Sequence, residues 1–282
     1  MERYCDLHTH SCYSDGTCTP AQLLALAEAA ELQAIALCDH NTLAGIPVFL
    51  AAAEKSPVEA VPGIEISTDF EGAELHILGL YLKPEHYAPI QELMSRQKQL
   101  KEKSNVDLVA ALNRAGYDID YATIKGATPN GNVNRALIAA ELTRKGYTES
   151  VQAAFRCLLS PKHGYYVPPK HPDAWETVAF LKQMGVVVVW AHPFLSLDES
   201  GVRRFLAKAK TLGLDGMEVL YPKYDPQTTQ LSIALAEEYG ILPSGGSDFH
   251  GENKPDIQIG VGRGNLQIPV QYLENFRKIQ RG

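Results

Sequence analysis

A chain of 282 residues that is 45% hydrophobic and 21% charged has globular composition and the length to bury one large core, or a core with an insert, which excludes a disordered or fibrous protein. Its net charge of −7 and pI near 5.7 exclude a broad basic surface for gripping long duplex nucleic acid, but leave room for a small anion at a local positive site. No apolar run of about 18 residues exists to span a bilayer, MERYCDLHTH lacks the order of a secretory signal, and five cysteines without a CxxC suggest free thiols; a cytoplasmic protein is expected.

The first apolar run, YCDL, predicts a buried strand leading into HTHSCYSDG. Side chains alternate along a strand, so Asp6, His8 and His10 share one face, and the two histidines can bind one metal ion together. The strand breaks at the turn Asp15-Gly16, from which Asp15 can reach back towards a neighbouring ion. PAQLLALAEAAE then predicts a helix capped by Thr19, with Pro20 at its first position. Three apolar runs follow: AIALC, just before Asp39 and His40; VEAVPGIEI, with Glu65 inside it; and LHILGLYL, with His76 inside it. Such β/α alternation predicts a mainly parallel sheet or barrel.

From residue 84 to about 165 no strand is predicted. QELMSRQKQLKEKSNVDLVAALNRAG and NVNRALIAAELTRKG read as helices, the first with a charged, solvated face. The β/α rhythm returns with helix DAWETVAFLKQMG, strand VVVVW before His192, helix LDESGVRRFLAKAKTLG, strand GMEVL, helix PQTTQLSIALAEEYG, and LPSGGSDFH, which carries Asp248 and His250. Each of these helices closes on a glycine. The expected architecture is an α/β barrel in two parts, residues 1–83 and 166–282, interrupted by a helical insert over 84–165. No internal repeat or low-complexity segment is found.

Taken singly, each polar residue at these strands reads as a hydrogen-bonded core or surface group. In a β/α barrel, however, the strand C-terminal ends face one rim. His8, His10, His40, His76, His192, His250, Asp15, Glu65 and Asp248 would converge there, with only metal to neutralise their lone pairs and charge. Imidazole and carboxylate without thiolate suit Mn²⁺, Zn²⁺ or Fe²⁺, and so many ligands suit two or three ions rather than one. The positive charge left over can hold hydroxide and a phosphate dianion, so an acidic protein can take an anionic substrate. The other histidines, His86, His163 and His171, are assigned to surface or substrate loops.

DLHTHSCYSDG at 6–16, DHN at 39–41, PGIEIS at 62–67, LHILGL at 75–80, AHP at 191–193 and GGSDFHG at 245–251 span nearly the whole chain. In these motifs and their order the sequence resembles the PHP (polymerase and histidinol phosphatase) superfamily of metal-dependent phosphoesterases. The insert, with NRALIAAELTRKG and LLSPKHGYYVP, is similar to the branch that includes 3′,5′-nucleoside bisphosphate phosphatases, which can also act as 5′→3′ exoribonucleases on short RNA. The resemblance implies a distorted (β/α)₇ barrel whose insert caps the substrate. It implies a first ion on His8, His10, Glu65 and Asp248, and a second, bridged by Glu65, on His76 and His192. Asp15, His40 and His250 would hold a third.

The implied reaction is hydrolysis of a phosphate monoester of a nucleotide or short RNA end by a metal-bridged hydroxide. Asp39 reads as a carboxylate supporting the ligands or as a proton acceptor, or else as a surface-facing strand-end residue. Arg135 matches a family arginine that grips phosphate, and by sequence alone is equally a solvated helix residue. Lys162 can contact the second phosphate of a bisphosphate or be a loop lysine; Tyr165 and Tyr166 can stack on a base or pack the insert. Two departures from the branch pattern, Leu137 and the pair Lys223 and Tyr224, bear on substrate rather than on the metal ligands. The competing readings are a histidinol-phosphate-type phosphatase, an amidohydrolase, and a non-catalytic regulatory module stabilised by metal.

Overall fold

Each apolar run becomes a strand of one seven-stranded sheet in the structure, a computed structural model that describes residues 3–127 and 133–281. The chain begins with β1 (Cys5–Thr9), α1 (Pro20–Ala29), β2 (Ala34–Leu37), α2 (Ile46–Ala53), β3 (Glu59–Phe70) and β4 (Ala73–Leu80). α3 (Pro84–Arg114), α4 (Tyr121–Gly126), α5 (Arg135–Arg144) and α6 (Val151–Ala154) follow, with no strand among the described residues. The alternation then resumes with α7 (Ala174–Gln183), β5 (Val187–Ala191), α8 (Glu199–Ala209), β6 (Gly216–Leu220), α9 (Pro226–Glu238), β7 (Leu242–Gly245) and α10 (Val270–Arg281).

Local signals account for the helix ends. Thr19 accepts from the backbone N–H of Gln22 while the Gln22 side chain accepts from that of Thr19, a capping box that fixes the start of α1. α7, α8 and α9 each end in a turn that closes on a glycine at positive φ, as their sequences predict. α5 begins at Arg135 because the Asn134 side chain accepts from the backbone N–H of Leu137. The first residue of the predicted segment, Asn132, lies outside the described residues.

The strands lie in chain order across the sheet, β1 to β3 parallel and β5 to β7 parallel. β4 runs against both its neighbours, which corrects the expectation that every strand delivers its C-terminal end to one rim. The cause is the tight Glu71-Gly72 connection, with φ of 53° and 84°, which allows only a hairpin between β3 and β4. His76 therefore comes from the first half of its strand, in register with Ser67 and Ala191.

Beyond β7 the chain returns alongside β1: Asp248 N–H donates to His8 O at 2.9 Å and His10 N–H to Phe249 O at 2.9 Å, so the sheet nearly closes into a barrel. Leu7, Ala36, Leu78, Val189 and Phe276 are among the residues that pack the core of this sheet. No described helix is long and apolar enough to cross a membrane, and the five cysteines are free.

The chain divides into two compact units, Met1–Gln91 with His171–Gly282, and Glu92–Lys170. The first division falls within α3, whose first turns count with the barrel strands and the rest with the helical unit. That second unit has its own core, built on Leu108, Leu112, Ile138, Leu142 and Leu159.

Candidate metal centre

β1 places His8 inside the barrel and His10 just beyond the strand, with ring nitrogens Nε2 to Nε2 only 3.0 Å apart. Glu65, from the middle of β3, lies between the histidines. Its Oε2 is 3.2 Å from Nε2 of both His8 and His10 and 3.0 Å from His40 Nδ1, while its Oε1 is 2.8 Å from His76 Nδ1 and 3.1 Å from His192 Nε2. Asp248 Oδ1 is 3.3 Å from His10 Nε2 and 3.9 Å from His8 Nε2. Asp15 reaches back from its turn, as expected, to 3.2 Å from His250 Nε2 and 3.7 Å from His40 Nε2. All nine residues singled out as metal-ligand candidates thus meet in one unit of the fold.

Three sets of these residues bring their ligand atoms close enough to share an ion: His8, His10 and Glu65; His40, Glu65 and His76; and His10, Asp15, His40 and His250. The inner set is fully buried, whereas the Asp15 side chain is 54% exposed, so the site opens to solvent on the Asp15 side. The backbone is strained where the ligands are delivered. His192, Asp248 and Asn41, the residue after His40, all have positive φ, an uncommon conformation for residues other than glycine.

The donor set fits divalent cations. His10 Nδ1, His76 Nδ1 and Glu65 Oε2 are buried without a well-aligned hydrogen bond, although imidazole nitrogens stand within about 3 Å of the glutamate. Lone pairs aimed at shared points, rather than at donors, are what a cation bound by imidazole and carboxylate requires, and stranding them in a dry interior is costly.

The charge balance without metal points the same way. Burial acts to lower the His8 pKa, but the carboxylates of Glu65 and Glu218 outweigh it and hold it well above the ordinary histidine value. His40 and His76 likewise rise against burial through Glu65, His76 to about 10. The carboxyls of Glu65 and Asp248 are held well below their usual range by facing imidazoles, again against burial. Near neutral pH His8, His40 and His76 without metal therefore carry protons that a cation must displace, since imidazole ligates as the neutral base. Metal uptake is expected to release protons, and to tighten as pH rises from about 6 to 8. Calorimetric titration with Mn²⁺ in two buffers of different ionisation enthalpy checks this; an apparent enthalpy independent of buffer would contradict it.

Several neighbours hold the cluster in shape. Asp6 is fully buried and accepts from the backbone N–H groups of Ser247 at 2.9 Å, Gly260 at 2.7 Å and His8 at 3.3 Å, so it anchors β1 and takes no place among the ligand sets. Asp39, at 1% exposure, accepts from Ser11 N–H and from the Ser11 and Ser14 hydroxyls at 2.7–2.8 Å. Both its oxygens accept from the loop that carries Asp15, which makes it a support for that loop. Tyr221 and Lys254 donate to Asp248 Oδ2 at 2.7 and 2.6 Å, turning Oδ1 towards the histidines. Glu74, whose carboxyl His76 holds down at about 2, lies 3.2 Å from His76 Nε2.

One polar residue escaped the sequence reading. Glu218, fully buried in β6, has Oε1 2.9 Å from His8 Nδ1 and accepts from His192 N–H through Oε2 at 2.7 Å. Its signal was present: a lone glutamate in the apolar run GMEVL, the same pattern that singled out Glu65 in PGIEI.

The substrate candidates all lie in the helical unit. Arg135, at the start of α5, donates to Leu159 O at 3.2 Å, and its guanidinium carbon sits 4.3 Å from the centre of the Tyr166 ring. Tyr166 is only 9% exposed and belongs to that unit's core, with the Arg135 cation against its ring. Lys162 is solvent-exposed on the short helical turn Pro161–His163. Leu137 packs against the same core, Lys223 is exposed, and the Tyr224 hydroxyl accepts from Phe194 N–H in the barrel. His86, expected in a loop, is buried in the first turn of α3, where its Nδ1 accepts from Lys83 N–H at 3.1 Å.

Comparison with known proteins agrees with this geometry. The profile of the PHP domain family matches residues 6–167. A protein of Haemophilus influenzae named 5′-3′ exoribonuclease is 33% identical over 251 residues, covering 89% of this chain and 91% of its own. The 3′,5′-nucleoside bisphosphate phosphatase of Chromobacterium violaceum is 27% identical over 256 residues, 89% of this chain and 90% of its own. Among solved structures, one described as a metal-dependent phosphoesterase from Bifidobacterium adolescentis superposes with a TM-score of 0.74 at 26% identity, over 98% of this chain and 96% of that one.

Proposed function

The chain belongs to the PHP domain family and is a metal-dependent phosphoesterase, and from that premise we propose that it hydrolyses a phosphate monoester of 3′,5′-nucleoside bisphosphates and the 5′-terminal phosphodiester of short RNA. The observation that carries the reading is Glu65, a fully buried carboxylate within about 3 Å of five imidazoles. The names of the two curated relatives support the substrate class.

We assign His8, His10, Glu65 and Asp248 to one ion, Glu65 with His76 and His192 to a second, and Asp15, His40 and His250 to a third. Divalent ions held there would supply Lewis acidity towards phosphoryl oxygens and an activated water near neutral pH. The chain's own residues keep the ligands in place. Asp39 fixes the loop bearing Asp15, and Tyr221 and Lys254 keep Asp248 turned inward. Selection of substrate falls to the helical unit, with Arg135 and Lys162 as its phosphate-gripping cations.

Turnover by Mn²⁺-loaded protein tests this, read as phosphate release from adenosine 3′,5′-bisphosphate, mononucleotide release from a 5′-phosphorylated short RNA and phosphate release from histidinol phosphate. Turnover is expected on the first two, with loss in Asp248→Ala. In Arg135→Ala a KM increase of about 10- to 100-fold is expected, the scale of one charge-assisted contact. Because Arg135 also packs on Tyr166, the variant's circular dichroism must match wild type for the KM change to count. Turnover confined to histidinol phosphate would overturn the substrate assignment and leave the phosphoesterase chemistry standing.

A further inference from the structure

We propose that Glu218 is a positioning residue that sets the tautomer of His8 and the backbone of His192 with one carboxylate, and so ties together two of the ligand groups. The inference rests on the metal-centre reading and goes beyond it, to a residue outside all the ligand sets.

Glu218 is buried on a strand whose neighbours are apolar, a costly place for a carboxylate without partners. It has two, and they use both oxygens. Oε1 lies 2.9 Å from His8 Nδ1, where a carboxylate can only accept, so that nitrogen donates, and in the neutral, metal-ligating ring the lone pair falls to Nε2. Nε2 is the atom that faces Glu65, His10 and Asp248. Oε2 accepts from the backbone N–H of His192 at 2.7 Å. His192 needs such a hold: its φ of 32° is left-handed, and its side chain must leave the end of β5 towards Glu65.

The surroundings are shaped for the same contact. Gly246 packs directly over the pair: a Cβ there would stand 2.2 Å from His8 Cβ and 2.9 Å from Glu218 Oε1. Only a residue without a side chain leaves the slot in which the carboxylate meets the imidazole. In the register of the sheet Glu218 stands beside Ser244 of β7. A histidine that ligates through one nitrogen while the other is held by a carboxylate is oriented and made more basic, and loss of such a partner typically costs 10- to 100-fold in metal affinity.

Glutamine at this position keeps the shape but supplies one acceptor where two N–H groups need one each. Either His192 N–H meets an NH₂ group, or His8 takes the opposite tautomer and puts its proton on Nε2. The test is Co²⁺ binding followed by visible absorption in wild type and Glu218→Gln, with kcat and KM measured at each metal concentration. The variant is expected to bind Co²⁺ 10- to 100-fold more weakly, with turnover restored by excess metal and KM unchanged. A merely structural role would instead lower the melting temperature without rescue by metal. Wild-type affinity and spectrum in Glu218→Gln would overturn the proposal.

A second measurement needs no variant. In Zn²⁺-loaded wild type, long-range ¹H–¹⁵N spectra should show the His8 ring protonated at Nδ1 and not at Nε2; the reverse tautomer refutes the assignment. If wild type takes up no Co²⁺ or Zn²⁺ at all, the metal-centre reading falls and this inference with it, a result distinct from either of those.

Discussion

Glu65→Gln is expected to abolish phosphate release and strip most of the bound metal while leaving the fold in place. The side chain is the one point shared by the inner and middle ligand sets: one oxygen serves His76 and His192, the other His8, His10 and His40. Glutamine fills the same volume, so the buried packing of β3 is kept. It removes the charge and replaces one oxygen with an NH₂ group facing imidazole nitrogens that must offer lone pairs. A partner that merely supports a ligand costs about 10- to 100-fold when lost. Glu65 touches five candidate ligands directly, so its loss should exceed the upper end of that range. Elemental analysis should show the deficit in metal alongside the loss of turnover. A variant that kept its metal and worked within about tenfold of wild type would remove Glu65 from the centre of the site.

What made this site legible was polarity in the wrong place. Glu65 in PGIEI, His76 in LHILGL and His192 after VVVVW are residues that a buried strand rejects unless something compensates them, and their recurrence along the chain pointed to one shared site. β/α alternation likewise pointed to a mainly parallel sheet or barrel, since parallel neighbours joined by helices admit few topologies.

Other features depend on contacts that no local pattern reports. The reversal of β4 was written in Glu71-Gly72, but a two-residue turn is a weak signal between runs that otherwise alternate. His86 looked like a loop residue beside Pro84 and is a buried group at a helix start, where its Nδ1 accepts from Lys83 N–H. Asp39 and Glu218 differ in the same way. Both are strand-associated carboxylates, and only the partners that come from far along the chain, Ser11 for one and His8 for the other, show what each does. Tyr166 was ambiguous between stacking and packing, and its burial is set by the fold and not by residue type.

Removing metal with a chelator is expected to lower the melting temperature, and by an amount that grows with pH. An ion present at 100 times its dissociation constant stabilises the folded state by about 2.7 kcal/mol. In a protein of this size each kcal/mol moves the midpoint by about 2–4 °C, so each ion held at that excess accounts for roughly 5–11 °C. The direction with pH follows from the charges in the cluster. His8, His40 and His76 have raised pKa values in the metal-free fold, so their contribution to stability is complete below the ordinary histidine value of 6.5. It is lost as pH rises, for His76 up to about 10. The carboxyls of Glu65 and Asp248 are depressed, so their contribution fails only in acid and is constant over this range. The metal-free protein should therefore soften from about pH 6 to 8, while the loaded protein gains because protons compete less for the same nitrogens. Differential scanning calorimetry at several pH values, with Mn²⁺ and with chelator, measures both trends. A gap between the two forms that narrows with rising pH would mean that the imidazoles of this cluster are not the groups that metal and protons contest.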